Sequence, residues 1–553
     1  MASKGGTAPL PNPPPSEGGT APLPNPPASQ GGTASPRHPF DGWTILTVVA
    51  AALVAAPLLV LPASFVAAPD ALADFSGLLP DAAVATAILL AGVGIGTLVL
   101  GTGLAALVSF FDFPGRSWVE WALVLPLAMP GYVFTLFALG ASDALGAAWL
   151  DVRSPLGAVA VFTLVLYPYV YLLARSAFLA QGPELVEAAR GLGLSRGRAI
   201  LRVAVPLARP AILGGVALAL MESLADFGTV NLLGLQTFTN AIYKVWFGAF
   251  DRDAALQLGT LLVSITLTLL LLERLSRGRA SYAQHAARGK VVSPVRLRGP
   301  LGALALGGPL LLVGLVVAAP LAQLTVWSVD SIADGRLAPQ FAASARNSLM
   351  LAGMSVVLVV GAALVLAYGR RASRSAAGDG AVRVATIGYG LPGSVVAVAV
   401  IVPFGWLDHR LDDAAGVGLL LTGTVIGLFA AYTVRFLALA YQSVDTALER
   451  VPRSLDEAAR GLGSDRLDVL ARVHLPMISG AMLTAALLVF TEVIKELPAT
   501  LLLRPLGGDT LAVAVWQSTA ESLYETAALP ALLIVLVGLA PVAALVRLSR
   551  RAA

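Results

Sequence analysis

Apolar residues run along this chain in long blocks, separated by short breaks rich in Arg, Pro or Gly. About twelve blocks follow Trp43, near 43–65, 83–110, 118–140, 155–175, 211–232, 254–273, 301–327, 347–368, 384–405, 416–440, 478–502 and 527–547. Each approaches the roughly 20 residues an α-helix needs to cross a hydrocarbon core of ~30 Å. The pattern predicts an all-α polytopic membrane protein with about 12 transmembrane helices. Composition agrees: 57% of the 553 residues are hydrophobic, 13% are charged and the mean hydropathy is +0.80. A soluble chain carries roughly a quarter charged residues, so most of this surface faces something other than water.

Residues 1–40 depart from the pattern. GGTAPLPNPP occurs at Gly5 and again at Gly18, with almost no charge nearby. Such Pro/Gly-rich sequence cannot build a core and reads as a disordered tail, with polyproline recognition by a partner as the lesser reading. It lacks the basic start, apolar stretch and cleavage site of a signal peptide. Cysteine is absent, which excludes disulfides and thiolate chemistry, and His38, His285, His409 and His474 are too scattered for a metal cluster. Nothing supports nucleic-acid binding.

Basic residues set the orientation. With the N-terminus inside, about 27 of the 37 Lys and Arg fall in cytoplasmic segments, the asymmetry expected of inner loops. Both termini are therefore expected in the cytoplasm.

The heptamer EAARGLG appears at Glu187–Gly193 and again at Glu457–Gly463, 270 residues on. At the same offset Pro206 meets Pro476, Glu222 meets Glu492, Asp226 meets Glu496 and Trp246 meets Trp516. The chain thus reads as two copies of one six-span unit: a first half at 41–273, a basic linker at 274–300 and a second half at 301–553. An even number of spans makes the duplication parallel, with helices from both halves lining a central path. Stripes such as GVGIGTLVLGTG read as close helix packing.

Both heptamers open one longer pattern, EAARGLGLSRGRAILRVAVP and EAARGLGSDRLDVLARVHLP. Glu-Ala-Ala favours helix, Gly193 and Gly463 permit a sharp turn, and Pro206 and Pro476 suit the first turn of the next helix. These are ordered cytoplasmic elbows. The pattern resembles the EAA loop of membrane subunits in binding-protein-dependent ABC importers, where that loop is the coupling helix seated on an ATPase subunit. The resemblance implies that Glu187, Ala188, Ala189, Gly193 and Pro206, with Glu457, Ala458, Ala459, Gly463 and Pro476, couple the chain to two ATPase copies. It also implies an extracytoplasmic substrate-binding protein, a bacterial inner-membrane location and alternating access. No GxxxxGK[ST] occurs in the chain, so ATP and Mg are expected on the partner ATPase and the permease is not itself an enzyme.

Helices starting near Ala211 and Gly480 put Glu222 and Glu492 about 17 Å in, near mid-bilayer. Asp226 and Glu496 follow at i+4, so each helix is expected to present two carboxylates on one face, with Lys495 nearby. Ionisable groups at that depth mark a pathway or a structural pairing, and both readings stand. Four acids against one base favour a cationic substrate over sulfate, phosphate or molybdate. Glu222, Asp226, Glu492 and Glu496 are the candidates for transient metal contact. The stretches ADFGTVNLLGLQTFTNAIYKVWFGAFD and KELPATLLLRPLGGDTLAVAVWQ are similar to fused ferric-iron importer permeases. Thiamine permeases share the architecture and remain an alternative, and an ion-gradient-driven secondary transporter is a further one.

Overall fold

The computed structural model describes residues 41–146, 151–181, 184–277, 295–336, 340–373, 375–416 and 418–552. Eleven helices among them are long and apolar enough to cross a membrane, and one further pair, bent by 93°, makes up to twelve spans. The protein is an all-α polytopic membrane protein. The expected Pro-rich tail and most of the basic linker lie outside the described residues.

The first half runs α1 (Gly42–Ala67), α2 (Leu78–Phe110), α3 (Arg116–Ala128), α4 (Gly131–Leu145), α5 (Pro155–Gln181), α6 (Glu184–Gly191), α7 (Arg196–Ala225), α8 (Phe227–Leu232), α9 (Phe238–Lys244) and α10 (Arg252–Arg277). The second half runs α11 (Pro300–Ala333), α12 (Phe341–Ser373), α13 (Ala376–Ala385), α14 (Gly393–Ala415), α15 (Val425–Glu449), α16 (Arg453–Gly461), α17 (Arg466–Ile494), α18 (Pro498–Leu503), α19 (Leu511–Ala520) and α20 (Tyr524–Ala552). Two short parallel strands, β1 (Phe111–Asp112) and β2 (Val295–Arg296), pin the end of the linker to the turn after α2.

The glycine stripe of α2 packs against α5. A Cβ at Gly101 would come within 2.9 Å of the Tyr167 carbonyl oxygen, so glycine is what lets the two backbones approach.

Four spans expected as straight helices are broken, the 384–405 span at Pro392 ahead of α14 (ψ 139°). The 118–140 span bends between α3 and α4, where Pro130 supplies no N–H and adopts an extended ψ of 144°. The 211–232 span breaks at Asp226, whose backbone is extended (φ −82°, ψ 92°). The 478–502 span breaks between Ile494 and Pro498. The two acid-bearing helices also start earlier than expected, at Arg196 and Arg466 rather than near Ala211 and Gly480. Each passes through a π-turn, Ile200–Ala204 or Leu470–His474, just before its proline. The wider i→i+5 bonding lets the helix continue into Pro206 or Pro476.

Candidate functional site

Both breaks have one cause. The Asp226 carboxylate accepts the Thr229 backbone N–H at 2.8 Å and its hydroxyl at 2.7 Å, capping α8. Glu496 does the same for α18, accepting the Ala499 N–H at 2.9 Å. A carboxylate that satisfies an orphan N–H of the next helix competes with continuation of the previous one. The expected i+4 pairs on one helix face are therefore corrected: Glu222 and Glu492 sit on α7 and α17, whereas Asp226 and Glu496 sit in the gaps beyond them.

The breaks still bring all four acids to one place. Glu222, Asp226, Glu492 and Glu496 line a single cavity of about 70 Å³ together with Lys495, Arg435, Tyr132 and Tyr169. Arg435 lies 10 residues from the start of α15 and 14 from its end, which puts the cavity at mid-height of the bundle. The expectation of one base is corrected to two. Arg435 grips Glu496 through both carboxylate oxygens at 2.9 and 2.8 Å, with the acid side chain only 4% exposed. Lys495 pairs with Glu492 at 2.8 Å. Among the described residues, Glu222 and Asp226 make no ion pair within the same range. Nor do any three acidic or histidine side chains there converge closely enough to hold a metal ion.

Two glycines make room for this cluster. A Cβ at Gly131 would collide with the Asp226 carboxylate, and one at Gly393 with Arg435 and Glu496. Each follows a proline, Pro130 or Pro392, at the start of α4 or α14. Two bonds join the halves here: the Tyr132 hydroxyl donates to the Lys495 carbonyl at 3.3 Å, and the Trp516 indole N–H to Asn231 at 3.1 Å.

The twin elbows have matching caps. Gly193 and Gly463 adopt φ of +90° and +87°, which glycine alone takes without strain. The N–H of Leu194 bonds to the Ala189 carbonyl at 3.2 Å, and that of Ser464 to Ala459 at 3.1 Å. This is the six-to-one bond of a Schellman motif, and it reverses the chain after α6 and α16. Ala188, Glu187, Ala458 and Glu457 are exposed, while Ala189 is buried. Glu187 bonds Arg190 at 2.7 Å and Arg196 at 2.8 Å. At the tips Leu192 and Leu462 are 88% and 87% exposed, two apolar knobs on otherwise polar elbows.

Comparison with known proteins decides the class. The family model for the inner membrane component of binding-protein-dependent transport systems matches residues 97–276 and again 359–553. The chain belongs to this family.

As an ABC importer permease of fused type, it is 27% identical over 469 residues to the Fe(3+)-transport system permease protein FbpB 2 of Haemophilus influenzae. That alignment covers 83% of this chain and 88% of that protein. It is 24% identical over 460 residues to a probable ABC transporter permease, y4fN, of Sinorhizobium fredii. The sulfate permease CysT of Escherichia coli is 29% identical, over 31% of this chain and 67% of its own length. The two family matches begin at equivalent points of α2 and α12, so each half is one permease unit in an inner-membrane, multi-pass chain.

Sequence reasoning on this permease missed Arg435, the paired glycines and the leucine knobs. The Pro-Gly dipeptide inside an apolar block of each half was the available signal for the bends. Arg435 had one too, as a lone cation in the middle of an apolar span.

Proposed function

We propose that this permease carries ferric iron, passed from an extracytoplasmic binding protein through the central cavity as two partner ATPase subunits bind and hydrolyse ATP with Mg. The carrying observation is the mid-height cavity, where four carboxylates face two cations. A relative named for Fe(3+) transport that aligns along most of both chains supports the same cargo.

The elbows dock the ATPase, with Leu192 and Leu462 as apolar anchors and Glu187, Ala188, Ala189 and Gly193, with Glu457, Ala458, Ala459 and Gly463, shaping the seat. ATP draws the two elbows together and rocks the halves so that the cavity opens outward, and hydrolysis resets it. Both termini lie in the cytoplasm. Glu222, Asp226, Glu492 and Glu496 lend oxygens to the ion only in passing.

A second reading, an oxyanion cargo, draws on Arg435 and Lys495 in the cavity wall and on the sulfate-permease relative. Both cations are already engaged by carboxylates, so an oxyanion would have to displace an acid into a wall that already carries excess negative charge. The test is uptake of labelled ferric iron, sulfate and thiamine by cells with and without this gene. Loss of iron uptake alone is expected. Loss of sulfate or thiamine uptake with iron unchanged overturns the cargo and leaves the permease assignment standing.

A further inference from the structure

The two elbows share a sequence but not a seat. Beneath the second lies a polar joint. Arg371, near the end of α12, donates to both oxygens of Asp456 on α16, each at 3.0 Å. The same guanidinium donates to the Leu448 carbonyl of α15 and, at 3.0 Å, to that of Val451 just beyond it. His474 Nε2 meets Asp456 at 2.8 Å from the π-turn of α17, and the ring is wholly buried against Tyr368. Arg370 adds a bond to Asp445 of α15 at 2.6 Å.

Among the described residues the first elbow has no counterpart of this joint. At the 270-residue offset Asp456 becomes Val186 and His474 becomes Ala204. Laying the two 33-residue helices α2 and α12 end to end puts Val108 at the place of Arg371. Val186, Ala204 and Val108 are all buried in one apolar cluster. Apolar packing is non-directional and survives small shifts, whereas a bidentate guanidinium–carboxylate pair holds one geometry.

We infer that Asp456 is a positioning residue for coupling: through Arg371 of α12, which also holds the Leu448 carbonyl, it locks the second elbow to the end of α15, so that elbow and helix move as one body, while the first elbow pivots on its apolar seat. Because α15 carries Arg435, the ATPase stroke on the second elbow reaches the cavity's Arg435–Glu496 pair directly. The two docking sites are thus mechanically inequivalent. This rests on the reading that the elbows dock ATPase subunits.

The chain has no cysteine, so spin labels can be placed at will. One pair goes on Leu462→Cys and Glu449→Cys, spanning the second elbow and the end of α15. The equivalent pair goes on Leu192→Cys and Leu179→Cys. Both are measured in the full transporter, with ATPase subunits and binding protein, before and after ATP. The 462–449 distance is expected to stay fixed while the 192–179 distance shifts. Equal shifts, or no shift in either pair, overturn the proposal.

Asp456→Asn, which keeps the shape and loses the charge, is expected to release the 462–449 distance and raise ATP consumed per ion transported about tenfold. Asp456→Glu is expected to recover most of that loss. Retention of the ATPase by Asp456→Asn with an unchanged ratio overturns the joint. Failure of the unsubstituted chain to retain the ATPase overturns the docking reading instead.

Discussion

The two walls of the cavity solve one problem differently. On the second-half wall each acid has its own cation, Lys495 for Glu492 and Arg435 for Glu496. On the first-half wall the positions matching those cations are Ala225 and Val165, and the acids do without. Among the described residues Asp226 accepts from Thr229 only, and Glu222 lines the cavity. The repeat thus carries acids at matching positions in both halves but cations in the second only. On the proposed cargo this is a division of labour, with the paired wall fixing the broken helices and the unpaired wall presenting its acids to the cavity.

The largest effect is expected where that division is removed. Arg435→Leu strands the buried Glu496 carboxylate, and breaking one partner of a buried pair costs about 3–5 kcal/mol. Thermal unfolding of the purified permease should show it, and adding Glu496→Gln should recover most of the loss. Asp226→Asn, the matching insult on the first wall, keeps one carbonyl oxygen to accept the Thr229 N–H while its amide N–H can donate to the Thr229 hydroxyl, and should cost only about 1 kcal/mol. Equal losses from Arg435→Leu and Asp226→Asn would show that the walls are held alike.

Next come the glycines. Gly393→Ala drives a methyl group into the Arg435–Glu496 pair itself, and Gly131→Ala into Asp226. Overpacking costs about 1–3 kcal/mol, and Gly393→Ala should lie at the upper end because it meets both members of a buried ion pair. The reverse order in melting temperature would contradict the tighter second wall.

These contrasts also mark what could be read from the chain. The spans, the duplication and the elbows were legible because hydropathy, repeat offset and glycine spacing are local signals that folding preserves. The convergence of the four acids was legible from depth and symmetry. The breaks at Asp226 and Glu496 were not, because a helical period through LMESLADFGTV gives no warning that the acid's side chain will cap the next turn. Arg435 was missed because its partner lies 61 residues away in sequence. The polar joint under the second elbow was hidden in the same way, since Arg371 and Asp456 come from elements 85 residues apart.

A smaller effect on stability separates the two unlike glutamates. Glu222→Gln removes charge from a side chain with no ion pair among the described residues, so the unfolding free energy should move by no more than about 0.5 kcal/mol while iron uptake falls at least about tenfold. Glu492→Gln deprives Lys495 of its partner and should lower both. Uptake that survives Glu222→Gln would return the first wall to a structural role and leave the cation path elsewhere.

The smallest expected effect concerns the elbows and pH. Burial alone would raise the Asp456 carboxyl, but the hydrogen bonds and charges of Arg371 and His474 outweigh it and hold it below the ordinary aspartate value of 3.8. A carboxylate lowered on folding contributes stability that is complete above its unfolded value and lost only as pH falls through the folded one. The joint's aspartate should therefore leave the second elbow indifferent to pH from 8 down to about 5, and loosen it only in stronger acid. The first elbow sits on Val186, Val108 and Ala204, which do not titrate. Rate-corrected hydrogen exchange over 184–194 and 453–464 should then stay parallel until the pH falls below 3.8, where the second segment alone gains exchange. If the second segment loosens already between pH 7 and 5, the Asp456 carboxylate is not what holds the joint.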